Sequence, residues 1–252
     1  MTFNKASLAP SSASDRSGAS HGRPLLLIGA GRLASHLSHY FDLLQVRHLR
    51  WDRRRSEEEL RSHLTQNPLA LLAISDKSLG DFYRLRLEPH GIQTVHFSGA
   101  SEIQGVMSCH PLMTFGPELY DLKTYQSLYF AVCGASRLQD VIPPLLNPSF
   151  EIRTDQKALY HALCVLSAAG AQSLWLQALR GFQYMNLPSE ALLPYFQQIG
   201  SNFSRHGEEA LTGPWVRDDL ITIEKNREAL RLYSEKLNMT YQELKEGLYD
   251  NP

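Results

Sequence analysis

The stretch at residues 23–40, RPLLLIGAGRLASHLSHY, constrains the fold more than any other part of the chain. Leu25, Leu26, Leu27 and Ile28 form a short apolar run that a glycine ends, the pattern of a strand buried on both faces. Gly29, Gly31 and Ala34 follow with G-x-G-x-x-A spacing, and Leu33, Leu37, Tyr40 and Phe41 recur at helical spacing. Strand, tight turn and helix is the context in which such glycines carry chemistry. Gly29 takes the sharp turn, Gly31 lets a pyrophosphate approach the backbone, and Ala34 is small enough for the helix to pack on the strand. The helix start, reached through Ala30, Arg32 and Leu33, offers unpaired N–H groups to phosphates. The stretch predicts dinucleotide binding at 29–34, against the plainer alternative of a βα turn that binds nothing.

Residues 45–51 read as a second strand. Its end lies about twenty residues past the glycines, where a dinucleotide fold meets the adenosine ribose. The sequence there is Asp52-Arg53-Arg54-Arg55. A carboxylate accepts hydrogen bonds from a ribose 2′-hydroxyl, whereas arginines pair with a 2′-phosphate. Asp52, Arg53 and Arg54 are thus candidate ribose contacts, and the excess of arginine favours NADP over NAD. The alternative is a solvated charge run that opens a helix, with Ser56 as N-cap and Glu57, Glu58 and Glu59 in an acidic first turn.

Residues 69–74 form a third buried strand, and residues 93–97 a fourth. Ligands in open α/β sheets sit outside the carboxyl ends of strands, so Ile74, Ser75, Asp76, Ser98 and Gly99 are expected to border the cofactor. His110, held extended by Pro111, is either a cleft residue or a structural histidine. Further strands are expected at 127–133 and 150–153, with a helix at 137–146. Strands alternating with helices predict an α/β domain over 23–153, a doubly wound, mostly parallel sheet.

From residue 154 the period changes. Residues 155–182 carry a long, apolar, proline-free helical pattern with small residues Ala168, Ala169, Gly170 and Ala171, read as a central, buried helix also suited to dimerisation. A helix to 206, a loop at 208–218, a helix from the N-cap Asp219 to 238, and a last helix opened by a Thr240/Glu243 capping box complete an all-helical domain at 154–252. Lys157 and His161, at i and i+4, share one helix face. A lysine ammonium polarises a carbonyl or imine-derived nitrogen, and a histidine moves a proton near neutral pH, so the pair is the catalytic candidate. The alternative is two boundary residues with their tips in water.

Net charge is −1, which gives bulk electrostatics no reason for a nucleic-acid partner or an anionic membrane. No uninterrupted apolar stretch reads as long enough to span a bilayer. Cys109, Cys133 and Cys164 are odd in number and far apart, so neither a disulfide framework nor a metal site is expected, and a reducing cytoplasm is the simplest setting. Residues 1–22 are rich in Ser, Ala and Gly without apolar periodicity and read as a disordered tail. They contain no apolar h-region of a secretory signal.

Together these segments resemble the Rossmann-like proteins that carry the helical domain of unknown function DUF2520. These are distant relatives of pyrroline-5-carboxylate reductase, ketopantoate reductase and 6-phosphogluconate dehydrogenase-like β-hydroxyacid dehydrogenases. The resemblance covers nearly all residues from 24 onward. It rests on residues 29–34, on His96-Phe97-Ser98-Gly99-Ala100, on the run from His110 to Phe115, on Tyr160-His161-Ala162, and on Ala210-Leu211-Thr212-Gly213-Pro214 followed by Arg217 and Asp219. It implies an N-terminal NAD(P) domain and a helical domain that closes the cleft and often builds a homodimer, with Thr212, Arg217 and Asp219 near the substrate end. The chain has Ala169 where the family usually has asparagine, and Asp218 where the family loop reads Arg-Gly-Asp. Two functions fit. One is an NADP-dependent oxidoreductase moving hydride to or from a small carbonyl, imine or hydroxyl compound. The other is a non-catalytic dinucleotide-binding scaffold or redox-linked regulator. A flavin or deazaflavin in place of the second substrate also fits.

Overall fold

Seven short strands carry the first part of the chain: β1 (Leu25–Ile28), β2 (His48–Trp51), β3 (Leu69–Leu72), β4 (Thr94–His96), β5 (Met107–Pro111), β6 (Phe130–Cys133) and β7 (Ser149–Glu151). In the computed structural model, which describes residues 23–249, they form one sheet in the order β2-β1-β3-β4-β5-β6-β7. The tail expected at 1–22 lies outside the described residues. Every pair is parallel except β5–β6. The chain steps from β1 outward to β2, then crosses to β3 on the other side, so the order reverses at β1. In open α/β sheets this switch point is where ligands bind, outside the carboxyl ends.

The four consecutive apolar residues of β1 are explained by cover on both faces. Leu25 and Leu27 pack with Ala34, Leu37 and Phe41 of α1 (Arg32–Leu43). Leu26 and Ile28 pack with Leu60 and Leu64 of α2 (Glu57–Leu64) and Leu79 of α3 (Asp76–Phe82). The small helices α4 (Leu122–Gln126) and α5 (Leu138–Val141) complete the cover of the first face. The helix expected over 137–146 stops early, ahead of Pro143 and Pro144, which cannot continue it. The doubly wound, mostly parallel α/β sheet is therefore present as expected. β5 was not legible as a strand: its five residues mix Ser108 and His110 with apolar neighbours and end in Pro111.

The chain divides into two compact units, Met1–Ala169 and Gly170–Pro252. The first unit ends with α6 (Lys157–Val165) and most of a π-helical turn at Leu166–Gly170. The second contains α7 (Ala171–Tyr184), α8 (Leu192–His206), α9 (Leu220–Tyr233) and α10 (Glu235–Glu243). Asp219 caps α9 as expected, accepting from the Thr222 amide at 3.1 Å. The helix expected to reach 238 stops at Tyr233, because Ser234 turns extended and its hydroxyl caps α10. Thr240, expected to be that cap, lies inside α10 and donates to the Lys236 carbonyl.

The run Thr154–Tyr184 corrects two expectations. It is not buried: Lys157 is the one buried residue of α6, α7 has none, and Leu159 is 67% exposed. It is also long and apolar enough, by length and composition alone, to cross a bilayer. Apolar patterning reports that a surface wants cover, and among the described residues the Leu159, Leu163 and Leu166 side chains do not find it.

Candidate functional site

The turn after β1 is built by contact. Gly29 has φ +144°, and a β-carbon there would stand 2.2 Å from the Ala73 carbonyl oxygen. The ends of three strands are tied at this point, with Ala73 N–H donating to Ile28 O at 2.8 Å and Gly29 N–H to Trp51 O at 2.9 Å. Glycine is required here by the protein itself. Gly31 is different: it is extended, and among the described residues nothing lies within 4 Å of where its β-carbon would be. It opens onto free space at the start of α1. That start has no side-chain cap and no acidic residue in its first turn. By contrast, α2 is capped by Ser56, which accepts from Glu59 N–H at 3.1 Å, and carries three glutamates. Ala30 and Arg32 are exposed, Leu33 is half-buried, and Ala34 is fully buried against the strand. The first turn of α1 thus keeps donors free for an anion, which fits a pyrophosphate.

At the end of β2 the competing acidic and basic signals are joined. Arg54 donates from its guanidinium to both carboxylate oxygens of Asp52, at 2.8 and 2.9 Å, and from its backbone N–H at 3.0 Å. The Arg54 guanidinium holds the Asp52 carboxyl well below the usual carboxylate range. Arg55 pairs with Glu59. Arg53 is exposed and has no hydrogen-bond or ion-pair partner among the described residues.

At the ends of β3 and β4, Ile74 is half-buried and Ser75 exposed, its hydroxyl 3.0 Å from that of Ser78. Ser98 Oγ donates to Asp76 Oδ2 at 2.8 Å and accepts from the Ser101 and Ala100 amides. Ser98 is thereby committed to tying the two loops together. Gly99 lies against two histidine rings: a β-carbon would come 2.5 Å from His161 Cδ2 and 3.1 Å from His110 Cδ2. The ring centroids of His110 and His161 are 5.7 Å apart, edge to face. His110 Nδ1 is 2.8 Å from the Tyr160 hydroxyl. Burial, then neighbouring His161 and Lys157, push His110 down to about 4, so its ring is neutral at pH 7. Burial raises the Tyr160 phenol well above its ordinary value.

Ser108 and His110 are two apart on β5 and so point to one face. Lys157 and His161 are four apart on α6, and each meets the matching partner: Lys157 Nζ donates to Ser108 Oγ at 2.6 Å, while His161 lies beside His110. α6 therefore runs along β5. Lys157 is 2% exposed, and burial lowers its pKa. The structure thus brings together Asp76, Ser98, Gly99, His110, Lys157 and His161. Sequence reasoning missed Ser108 and the contact of Tyr160 with His110. The one available signal for Ser108 was its alternation with His110, hidden because 107–111 was not read as a strand.

Thr212, Arg217 and Asp219 belong to the second unit. Thr212 and Arg217 are exposed, and Asp219 is engaged in capping α9. Asp218 adopts φ +50°, the left-handed region that a glycine takes freely and that aspartate tolerates better than most residues.

A family model described as a domain of unknown function, DUF2520, matches residues 134–247. No curated protein sequence matches the chain. Among solved structures, BF3122 from Bacteroides fragilis, provisionally assigned as an NADP oxidoreductase, is similar over 91% of this chain and 98% of its own, with TM-score 0.70 and 18% identity. Protein TM1727 from Thermotoga maritima is similar over 90% and 97%, with TM-score 0.68 and 19% identity. Plasmodium falciparum pyrroline carboxylate reductase, solved with NADP bound, is similar over 90% and 99%, with TM-score 0.53 and 12% identity. At such identities the likeness establishes the fold. The DUF2520 match over residues 134–247 thus follows a Rossmann-type sheet, and the fold is the one these solved structures share.

Proposed function

We propose that the chain is an NAD(P)-dependent oxidoreductase acting on a small carbonyl, imine or hydroxyl compound. The observation that carries this reading is the free, uncapped start of α1 beside Gly31, at the point where the strand order reverses. The bound dinucleotide would supply or accept the hydride. Residues 29–34 hold its pyrophosphate, and Ile74, Ser75, Asp76, Ser98 and Gly99 border its nicotinamide half. His161 delivers or removes the proton at the substrate oxygen or nitrogen. Lys157 polarises the site from the same helix face, with His110 lining the cleft. The NADP bound to the Plasmodium neighbour supports the cofactor class.

His161 is the proton-transfer residue in this reading. His161→Ala is expected to lower turnover by about a hundredfold or more while leaving dinucleotide affinity and thermal stability unchanged. Steady-state kinetics on a substrate found by screening carbonyls and imines with NADPH checks this, and unchanged turnover removes His161 from the chemistry.

NADP is the favoured cofactor because Arg53 is unpaired while Asp52 is already satisfied by Arg54. Replacing Arg53 and Arg54 together by alanine removes the phosphate partner and releases the Asp52 carboxylate. NADPH affinity is expected to drop by roughly tenfold to a hundredfold, the worth of a charge-assisted hydrogen bond, while NADH is held or gained. Equal loss of both cofactors contradicts the assignment.

The uncovered Leu159, Leu163 and Leu166 of the first unit, and Leu193 and Phe203 of the second, support a homodimer as their cover. A single-chain mass in sedimentation at micromolar concentration removes that part of the reading. The free thiols of Cys109, Cys133 and Cys164 suit a cytoplasmic setting.

A further inference from the structure

A cavity of about 690 Å³ lies within the first unit, between the β4–β5 crossover and the start of α6. This is within the size range of small-molecule sites. Its lining includes His96, Glu102, Ser108, Cys133, Thr154 and Lys157. Three of these are almost completely buried: His96 at 1%, Ser108 at 3% and Lys157 at 2% exposure.

The buried polar lining is rich in donors and poor in acceptors. An ammonium has three N–H donors. Lys157 uses one on Ser108 Oγ and makes no ion pair among the described residues. Because Ser108 Oγ accepts that bond, its own O–H is left without an acceptor among the described residues. His96 Nδ1 accepts from the Ser98 amide at 3.2 Å, which leaves the ring proton on Nε2. Burial, then the nearby Lys157, hold His96 down to about 4, so the ring is neutral and donates at pH 7. Water can satisfy the hydrogen bonds of such a set. It cannot neutralise the charge of a buried ammonium, which an anion does.

We infer that this cavity binds a small organic monocarboxylate, its oxygens held by Lys157, Ser108 and His96. Glu102, exposed on the same lining, and Asp76 act on the Lys157 ammonium through space without pairing with it and oppose added negative charge, so a single carboxylate is preferred to phosphate or a polyacid. The inference deepens the proposed function by giving the reductase an acidic substrate. Acid binding is measured without any dinucleotide, so either reading can fail alone.

The test is calorimetric or NMR titration of the full chain at pH 7 with butyrate and with its neutral isostere butyramide. Butyrate is expected to bind saturably, and butyramide at least about tenfold more weakly, since the charge-assisted bonds are lost. Lys157→Met, checked for native circular dichroism, is expected to weaken butyrate by about tenfold or more. Ser108→Ala is expected to weaken it severalfold while keeping the charge, and it stands in if the lysine variant does not fold. Equal binding of acid and amide, no saturable binding of butyrate, parent-like binding by the Lys157 variant, or inorganic phosphate bound more tightly than butyrate overturns the inference.

Discussion

Gly31→Ala is expected to fold like the parent chain and to lose nicotinamide-dinucleotide binding by about a hundredfold or more, as charge-assisted contacts to the phosphates are displaced. A methyl group at this position meets nothing within 4 Å among the described residues, and the backbone there is extended, so the described fold has no stake in the glycine. The methyl would instead occupy the space through which a pyrophosphate reaches the α1 N–H groups. Gly29→Ala is expected to do the opposite. Its β-carbon would fall 2.2 Å from Ala73 O, and φ +144° is strained for any L side chain. Strain and overpacking together cost about 3 kcal/mol or more, and the melting temperature falls accordingly. Thermal melts and NADPH titrations of the two variants separate a glycine kept for ligand from one kept for fold. Parent-like NADPH affinity in Gly31→Ala would move the phosphate site elsewhere.

The second large effect is loss of stability in mild acid. His96 is held down to about 4, mainly by burial and then by Lys157, while in the unfolded chain it titrates near 6.5. Above that value neither state is protonated and the group contributes nothing to pH dependence. As the pH falls from 6.5 to about 4, the unfolded chain takes up a proton that the native ring refuses, and stability is lost. His96 alone accounts for about 3 kcal/mol over this window. His110, also held down to about 4, adds to the loss with the same sign. The depressed carboxyls of Asp52, Asp121, Asp140, Asp155 and Asp219 act at lower pH, where their unfolded values near 3.8 begin to matter. Lys157 gives the same slope on the alkaline side, because its native pKa is also lowered and the unfolded chain binds the proton more readily. Denaturant unfolding at pH 7 and pH 4 measures the effect, and His96→Gln is expected to remove a large part of it. Equal stability at both pH values contradicts the burial of a neutral His96.

How much of this was legible in the sequence depended on the range of the interaction. The β1 turn was readable because strand, glycines and helix follow one another within residues 25–41, and local pattern carried all three. The Asp52 and Arg54 signals were visible but read as rivals. That they form one bidentate pair is a matter of side-chain geometry that composition does not encode. Ser98 was correctly placed at a strand end, yet its hydroxyl is already engaged with Asp76, 22 residues away. Ser108 escaped notice, and Tyr160 was named only as part of a motif, because their partners, Lys157 and His110, are 49 and 50 residues distant. The run Thr154–Tyr184 failed in a different way. Its hydrophobicity was read as burial inside the chain, but apolar residues call for cover without saying what supplies it.

The measurement that tests the central claim most directly is titration of the purified chain with NADPH and NADH, followed by nicotinamide fluorescence. The account predicts saturable binding of one dinucleotide per chain, tighter for NADPH than for NADH. Absence of binding by either would contradict it, reducing the turn at 29–34 to a structural feature and removing the ground for the oxidoreductase reading.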